Sequence, residues 1–175
     1  MYRSHKVIVI APCYNEEAKI HHVVRRLASL GYVDEIVVVD DGCTDQSAAV
    51  ARDGGATVLA LPAVVGVGAA LRAGFRYAKD RCDIIAIIAG NNKDEPLELS
   101  RLLDPIVEAR ALFVQGSRFL KGGTYGGAMP LYRKIATRIH PLLFTFLSGK
   151  RVTESTNGFR AFSVNLLNDT RINLD

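Results

Sequence analysis

Two adjacent carboxylates, Asp40 and Asp41, close the run Ile36-Val37-Val38-Val39 and are followed by Gly42, Cys43, Thr44 and Asp45. Carboxylates so placed can accept hydrogen bonds from ligand N–H and hydroxyl groups, because the carboxyl ends of central strands in open α/β sheets are where ligands bind. For either Asp alone, organising the strand-to-helix turn is an equal competitor, since Asp is a common cap and turn residue. Two in succession favour a site. Other reactive types are sparse. Cys13, Cys43 and Cys82 form no CxxC and have no His at zinc-ligand spacing, so they read as reduced thiols of a cytosolic protein. His21 and His22 share one helix without a partner in sequence and read as solvated.

The elements that position these groups follow from hydrophobic pattern. Residues 36–39 form a β-branched run without alternation, the mark of a strand buried on both faces of a parallel sheet. Residues 6–11 (KVIVIA), 57–61 (TVLAL), 83–89 (DIIAIIA) and 112–116 (LFVQG) read as four more strands. Ile20, Val23, Val24, Leu27 and Leu30 recur at helical spacing, with Asn15 as N-cap, Glu16 and Glu17 complementing the dipole, and Gly31 as the stop. Thr44 and Asp45 are caps for QSAAVAR, and the glycines of GVGAALRAGF open a helix over 66–79. Pro96 fits the first position of a helix carrying Leu97, Leu99, Leu102, Leu103 and Ile106. This alternation predicts an α/β fold over 1–175, one domain, with a mostly parallel sheet and helices on both faces. After Ser117, Gly122, Gly123, Gly126 and Gly127 around Thr124 and Tyr125 predict a mobile loop. Residues 133–147 follow as a helix bent at Pro141, and residues 152–162 as a polar excursion holding Arg160.

With 175 residues, 49% of them hydrophobic, the chain can bury a sizeable core. A net charge of +4 suits anionic ligands or an acidic membrane surface. The basic residues are scattered, which excludes a nucleic-acid footprint. No signal peptide opens the sequence, and its apolar runs are too short to span a bilayer.

Pro12-x-Tyr14-Asn15-Glu16, VVVDDGCTD, GSRF at 116–119, MPLYRK and GFRAF at 158–162 stand in a fixed order. In that order, over residues 6–165, the chain resembles family 2 glycosyltransferases, most of all the branch related to dolichyl-phosphate mannosyltransferase. The resemblance implies a GT-A fold, the Rossmann-like architecture of nucleotide-diphospho-sugar transferases. It implies that Pro12, Tyr14, Glu16, Val39 and Asp41 hold the donor nucleoside. A ring face such as Tyr14 and carboxylates accepting from base N–H or ribose hydroxyls suit that task. Packing over the sheet edge is the structural alternative for Tyr14, and dipole complementation for Glu16. Arg118 and Arg160 match the arginines expected near the donor diphosphate and acceptor phosphate, where a permanently charged guanidinium bridges oxygens bidentately. For each, a surface salt bridge is the alternative.

Two departures from the pattern matter. The family's Asp-x-Asp pair, which holds Mg2+ or Mn2+ against the diphosphate, reads Ala89-Gly90-Asn91 here. An amide oxygen from Asn91 can ligate a hard cation but brings no charge, so metal affinity should drop. Lys93 is then expected to bring positive charge to the diphosphate, and Asp94 to shift in as catalytic carboxylate and, with Asn91, as metal ligand. Alternatively Asn91 and Asn92 only turn the chain, while Asp94 or Glu95 caps the next helix. Val64 and Val67 stand where relatives carry Asn and Lys, removing one polar and one cationic contact. A dinucleotide fingerprint fails there, because Leu71 replaces its third glycine.

The expected function is inverting transfer of a sugar from a nucleoside-diphosphate sugar to a polyprenyl (dolichyl-like) phosphate. An acceptor phosphate is already ionised near neutral pH, so a strong general base is less necessary. The rival is a nucleotide-sugar-binding module without turnover, made credible by the missing carboxylates. A dehydrogenase is a distant third. Ile135, Ile139, Leu142, Leu143, Phe146 and Leu147, flanked by Arg133, Lys134, Arg138, Lys150 and Arg151, form a stripe for an anionic membrane surface or for a partner subunit in a homo-oligomer. The expected location is cytoplasmic, peripheral on the inner face of the membrane. Relatives continue beyond the position of Asp175, so the chain reads as truncated at its C-terminal end.

Overall fold

The computed structural model describes residues 1–120, 130–149, 151–169 and 171–172, and only the backbone of residues 131–134. The 122–127 glycine stretch, Lys150 and the side chains of Arg133 and Lys134 therefore lie outside the described residues. Among the described residues six strands form one sheet: β1 (Val7–Cys13), β2 (Glu35–Asp40), β3 (Thr57–Ala60), β4 (Ile84–Ile87), β5 (Phe113–Gln115) and β6 (Arg160–Ser163). Their spatial order is β3-β2-β1-β4-β6-β5. The helices are α1 (Glu17–Ala28), α2 (Ser47–Asp53), α3 (Val67–Ala78), α4 (Leu99–Val107) and α5 (Leu131–Ser148).

β1 pairs in parallel with both β2 and β4, and β2 with β3. The absence of alternation in these strands has a direct cause. Val7, Val9, Ala11, Ile36, Val38, Ile84 and Ala86 pack on one face against Ile20, Val24 and Leu27 of α1, Ala51 of α2, and Leu99 and Leu103 of α4. Ile8, Ile10, Val37, Val39, Ile85 and Ile87 pack on the other against Ala70 and Ala78 of α3 and against Leu167. Each fully buried Val, Leu or Ile contributes about 1.5–3 kcal/mol, enough to offset the roughly 1–2 kcal/mol of backbone ordering at its position. The expected α/β sheet with helices on both faces is what forms.

One strand is a correction. The GFRAF segment contains β6, which pairs antiparallel with β4 in the register Ile87↔Arg160 and Ile84↔Ser163. Ala161 joins one core and Phe162 the other. Two apolar residues between polar ones are too few for a periodicity to show, so only tertiary pairing defines this strand.

The chain divides into two compact units, one of residues 1–114 with 159–175 and one of residues 115–158. In the second, α5 ends at Gly149 in the left-handed region, a common helix stop. Thr137 and Pro141 of α5 are buried, while Ile135, Ile139, Leu142, Leu143 and Leu147 are exposed and Phe146 is 86% exposed. No described helix is long and apolar enough to cross a membrane.

Candidate functional site

The parallel pairing brings the carboxyl ends of β2, β1 and β4 side by side, and the loops leaving β1 and β2 are sewn together. The Asp41 amide donates to the Cys13 carbonyl at 2.9 Å. Asn15 has a φ of 51° and turns its side chain across, so that its Oδ1 accepts from the Thr44 amide at 2.8 Å. The Glu16 amide donates to Ser47 Oγ at 2.8 Å and the Glu17 amide to Asp45 Oδ2 at 3.1 Å. Glu17 Oε2 in turn accepts from the Gln46 amide at 3.1 Å.

These bonds correct the capping scheme read from sequence. Glu16, not Asn15, is the cap position of α1, and its side chain makes no cap hydrogen bond. The orphan amides at that end are instead satisfied by Asp45 and Ser47 of the neighbouring loop. Gln46 is the cap position of α2, again without a side-chain bond. Asp45 still serves that end, because its Oδ1 accepts from the Ser47 amide at 2.9 Å. Cross-strand capping of this kind carries no local sequence signal beyond the Ser/Asp types themselves.

The two carboxylates that end β2 divide the work. Asp40 Oδ1 accepts from the Cys43 amide at 2.7 Å, which shapes the turn. Asp41, 5% exposed, reaches the loop before α3: its Oδ1 accepts from the Val65 amide at 2.8 Å and its Oδ2 from the Gly66 amide at 2.9 Å. Gly42 makes this approach feasible. Its φ is +71°, and a Cβ there would stand 2.7 Å from the Val64 amide nitrogen. Val64, Val65 and Val67 are exposed.

Tyr14 is 49% exposed, with its ring unoccupied by any described hydrogen-bond or ring partner. Pro12 sits half-buried in β1, and its carbonyl accepts from the Gly90 amide at 3.3 Å. The Glu16 carboxylate pairs with Lys19 Nζ at 2.6 Å. Val39 is fully buried among Ile8, Ile10 and Val37, so its side chain belongs to the core and only its backbone is within a ligand's reach. Burial, then the neighbouring Asp40, pushes the Cys43 thiol up to about 12, and burial raises Cys13, so the thiolate form of both is disfavoured.

Beyond β4 the chain passes through Gly90, where a Cβ would lie 3.0 Å from the Pro12 carbonyl oxygen. Asn91 Oδ1 accepts from the Lys93 amide at 3.2 Å, and Asp94 Oδ2 from the Ala89 amide at 3.1 Å. Glu95 caps the single 3-10 turn Pro96–Glu98 through the Leu97 amide and pairs with Arg26. Helix capping thus falls to Glu95, while Asp94 ties the loop back to its strand. Lys93 is exposed. The donor set does not fit a tightly held Mg2+ or Mn2+. It offers one carboxylate and one amide oxygen, each already accepting a backbone N–H, and no group of three His, Cys, Asp or Glu that could hold a metal ion occurs among the described residues. Arg160 opens β6 opposite Ile87, so the backbone pairing sets it at the carboxyl end of β4.

Arg118 belongs to the second unit. Its Nε donates to Glu154 Oε2 at 2.9 Å and its Nη2 to Thr156 Oγ1 at 2.9 Å. Within the polar excursion 152–162, nothing in the sequence sets Glu154 apart. Its signal is a lone acid among Ser and Thr, indistinguishable from a solvated turn until its burial is seen.

The open sheet in the order β3-β2-β1-β4-β6-β5, with β6 antiparallel, is the GT-A glycosyltransferase fold, as the solved structures that superpose on it show. The chain belongs to glycosyl transferase family 2, whose model matches residues 8–170. It is similar to the polyprenol monophosphomannose synthase of Mycolicibacterium smegmatis, with 32% identity over 169 residues, covering 91% of this chain and 62% of that protein. It is also similar to the UDP-N-acetylglucosamine–dolichyl-phosphate N-acetylglucosaminyltransferase of Methanococcus voltae, with 28% identity covering 92% of this chain and 70% of that protein. Among solved structures, glucosyl-3-phosphoglycerate synthase of Mycobacterium tuberculosis in complex with Mn2+, uridine diphosphate and phosphoglyceric acid superposes with a TM-score of 0.72 and 28% identity, covering 94% of this chain and 58% of that one. The chain spans under two thirds of the length of the two synthases.

Proposed function

We propose that the chain is the sugar-transferring part of an inverting glycosyltransferase that takes a nucleoside-diphosphate sugar as donor and a polyprenyl phosphate as acceptor. The observation that carries this reading is the gathering of Tyr14, Asp41, Lys93 and Arg160 on elements that share one end of the sheet. Tyr14 offers a ring face for the base. Asp41 fixes the loop before α3 and lies beside the nucleoside position. Lys93 and Arg160 compensate the diphosphate, a task left to cations of the chain where a metal is weakly held. Asp94 is the catalytic carboxylate of its loop, and Arg118, in the second unit, is by itself a guanidinium suited to a phosphate. An acceptor phosphate oxygen attacks the anomeric carbon as the bond to the diphosphate oxygen breaks, and the nucleoside diphosphate leaves on the opposite face. The similarity to lipid-phosphate sugar transferases supports the acceptor class, and the exposed apolar residues of α5 support work at a membrane surface.

Binding without turnover is the second reading, favoured by the Asp94 carboxylate being turned onto the Ala89 amide in a loop with no Asp-x-Asp pair. Calorimetry with a panel of UDP- and GDP-sugars tests the donor site. Tyr14→Ala should leave stability unchanged and weaken nucleotide binding by about tenfold or more, since base stacking contributes about 1–3 kcal/mol. Equal affinity in wild type and variant would remove Tyr14 from the site.

A further inference from the structure

We infer that Glu154 is a positioning residue that fixes the Arg118 guanidinium so that one of its edges is presented to a phosphate oxyanion. The inference rests on the reading that this chain handles phosphates. The Glu154 side chain is 1% exposed, unlike the surface carboxylates of the Arg101–Glu98 and Arg110–Glu108 pairs. A carboxylate so buried needs its partners in place, because losing one leaves an uncompensated charge out of water. All the bonds it makes face one way. Oε2 takes Arg118 Nε, while Oε1 takes the Thr156 amide at 3.0 Å and Thr156 Oγ1 at 2.8 Å. Thr156 Oγ1 then accepts from Arg118 Nη2.

The planar guanidinium is therefore gripped along its Nε–Nη2 side. Its outer Nη1–Nη2 edge keeps three N–H groups, and Nη1 makes no hydrogen bond with any described residue. Two parallel N–H groups at that edge match two phosphate oxygens. The Arg118 side chain is 26% exposed, so the guanidinium is not sealed in the interior. The backbone on both sides is held in register as well. Gln115 Nε2 donates to the Asn157 carbonyl at 2.9 Å, and Asn157 Nδ2 to the Gly116 carbonyl at 3.0 Å. Between Glu154 and Thr156, Ser155 Oγ is buried without a partner among the described residues.

The phosphate can come from the nucleotide donor or from the lipid acceptor, so two probes are used with the full chain: UDP, and farnesyl phosphate in detergent micelles. Binding is measured for wild type, Arg118→Ala, Glu154→Gln and the double variant. One probe should bind about tenfold or more weakly to Glu154→Gln, and no more weakly to the double variant than to Arg118→Ala. The probe affected identifies the source. Thr156→Val, at an exposed position, should cause a smaller loss of the same probe and serves if Glu154→Gln does not fold. Unchanged affinity in Glu154→Gln or, failing that, in Thr156→Val overturns the inference, as does a loss of equal size in the Arg118→Ala background. If wild type binds UDP while Glu154→Gln is neutral toward both probes, the inference alone fails. If wild type binds neither probe, the proposed function fails and the inference with it.

Discussion

Asp41 and Gly66 are joined by a 2.9 Å hydrogen bond from the Gly66 amide to the Asp41 carboxylate, so the residue that follows β2 also fixes the loop that opens α3. A second bond, from the Val65 amide, makes the clamp two-pronged. Asp41→Ala removes the acceptor from two amides of an exposed loop, where water can replace it, so the loss of stability should be about 1 kcal/mol. The same loss releases the Val64–Val67 rim, so sugar-nucleotide affinity should fall by about tenfold or more. Urea denaturation and calorimetry on one preparation check both effects. Lost stability with unchanged affinity would show that the loop takes no part in donor binding.

The 89–94 loop offers a cation only Asn91 and Asp94, each already engaged by a backbone N–H. Chelation of divalent metals should therefore lower sugar-nucleotide affinity only slightly, whereas Lys93→Ala should lower it clearly and make it less dependent on salt. Titrations with and without a chelator, at two salt concentrations, measure this. Abolition by chelator with full rescue by millimolar Mg2+ would mean that another carboxylate completes a metal site, and Asp94→Asn would be the variant to examine next.

Strand positions and helix faces were legible because burial on both faces leaves an unbroken apolar run, and burial of one face leaves a helical stripe. The tie between Asn15 and Thr44 was not legible, nor was the burial of Glu154. Both depend on segments that meet only after folding: Thr44 lies 29 residues from Asn15, and Glu154 lies 36 from Arg118. Asp41 stands out in the sequence as a carboxylate at a strand end, but not as the anchor of the Val65–Gly66 backbone, since an acceptor for remote amides has no sequence mark. Val39 shows the converse. Matching a motif singles it out, while its place in the two-faced core leaves only backbone for a ligand.

Acid should loosen the second unit through Glu154. Burial works against its charge, but hydrogen bonds from Arg118 and Thr156 outweigh that and hold its carboxyl below the usual glutamate range. A folded value below the unfolded one gives stability that is present above the unfolded value and lost as pH falls through the folded one. Amide protection at residues 115–118 and 152–157, taken relative to the intrinsic exchange rate at each pH, should fall below roughly pH 5 by more than protection in β1 or β4. Glu154→Gln should remove that extra pH dependence while raising exchange at neutral pH. An acid response identical in wild type and Glu154→Gln would contradict the assignment.

The exposed apolar residues of α5 should bring the protein to lipid. Co-sedimentation with anionic vesicles at low salt is expected, reversed by high salt and by Arg133→Glu with Arg138→Glu, because each basic residue near such a surface contributes about 1 kcal/mol. Protein that stays in the supernatant at low salt would assign this helix to a protein contact instead.

The most direct measurement is a single-turnover reaction with the chain in excess over labelled UDP- and GDP-sugars, in micelles containing undecaprenyl or dolichyl phosphate. The expected products are a lipid-linked sugar with inverted anomeric configuration and a nucleoside diphosphate released in equal amount. A sugar nucleotide that binds but is recovered intact with every acceptor would contradict transfer and establish a binding module in its place.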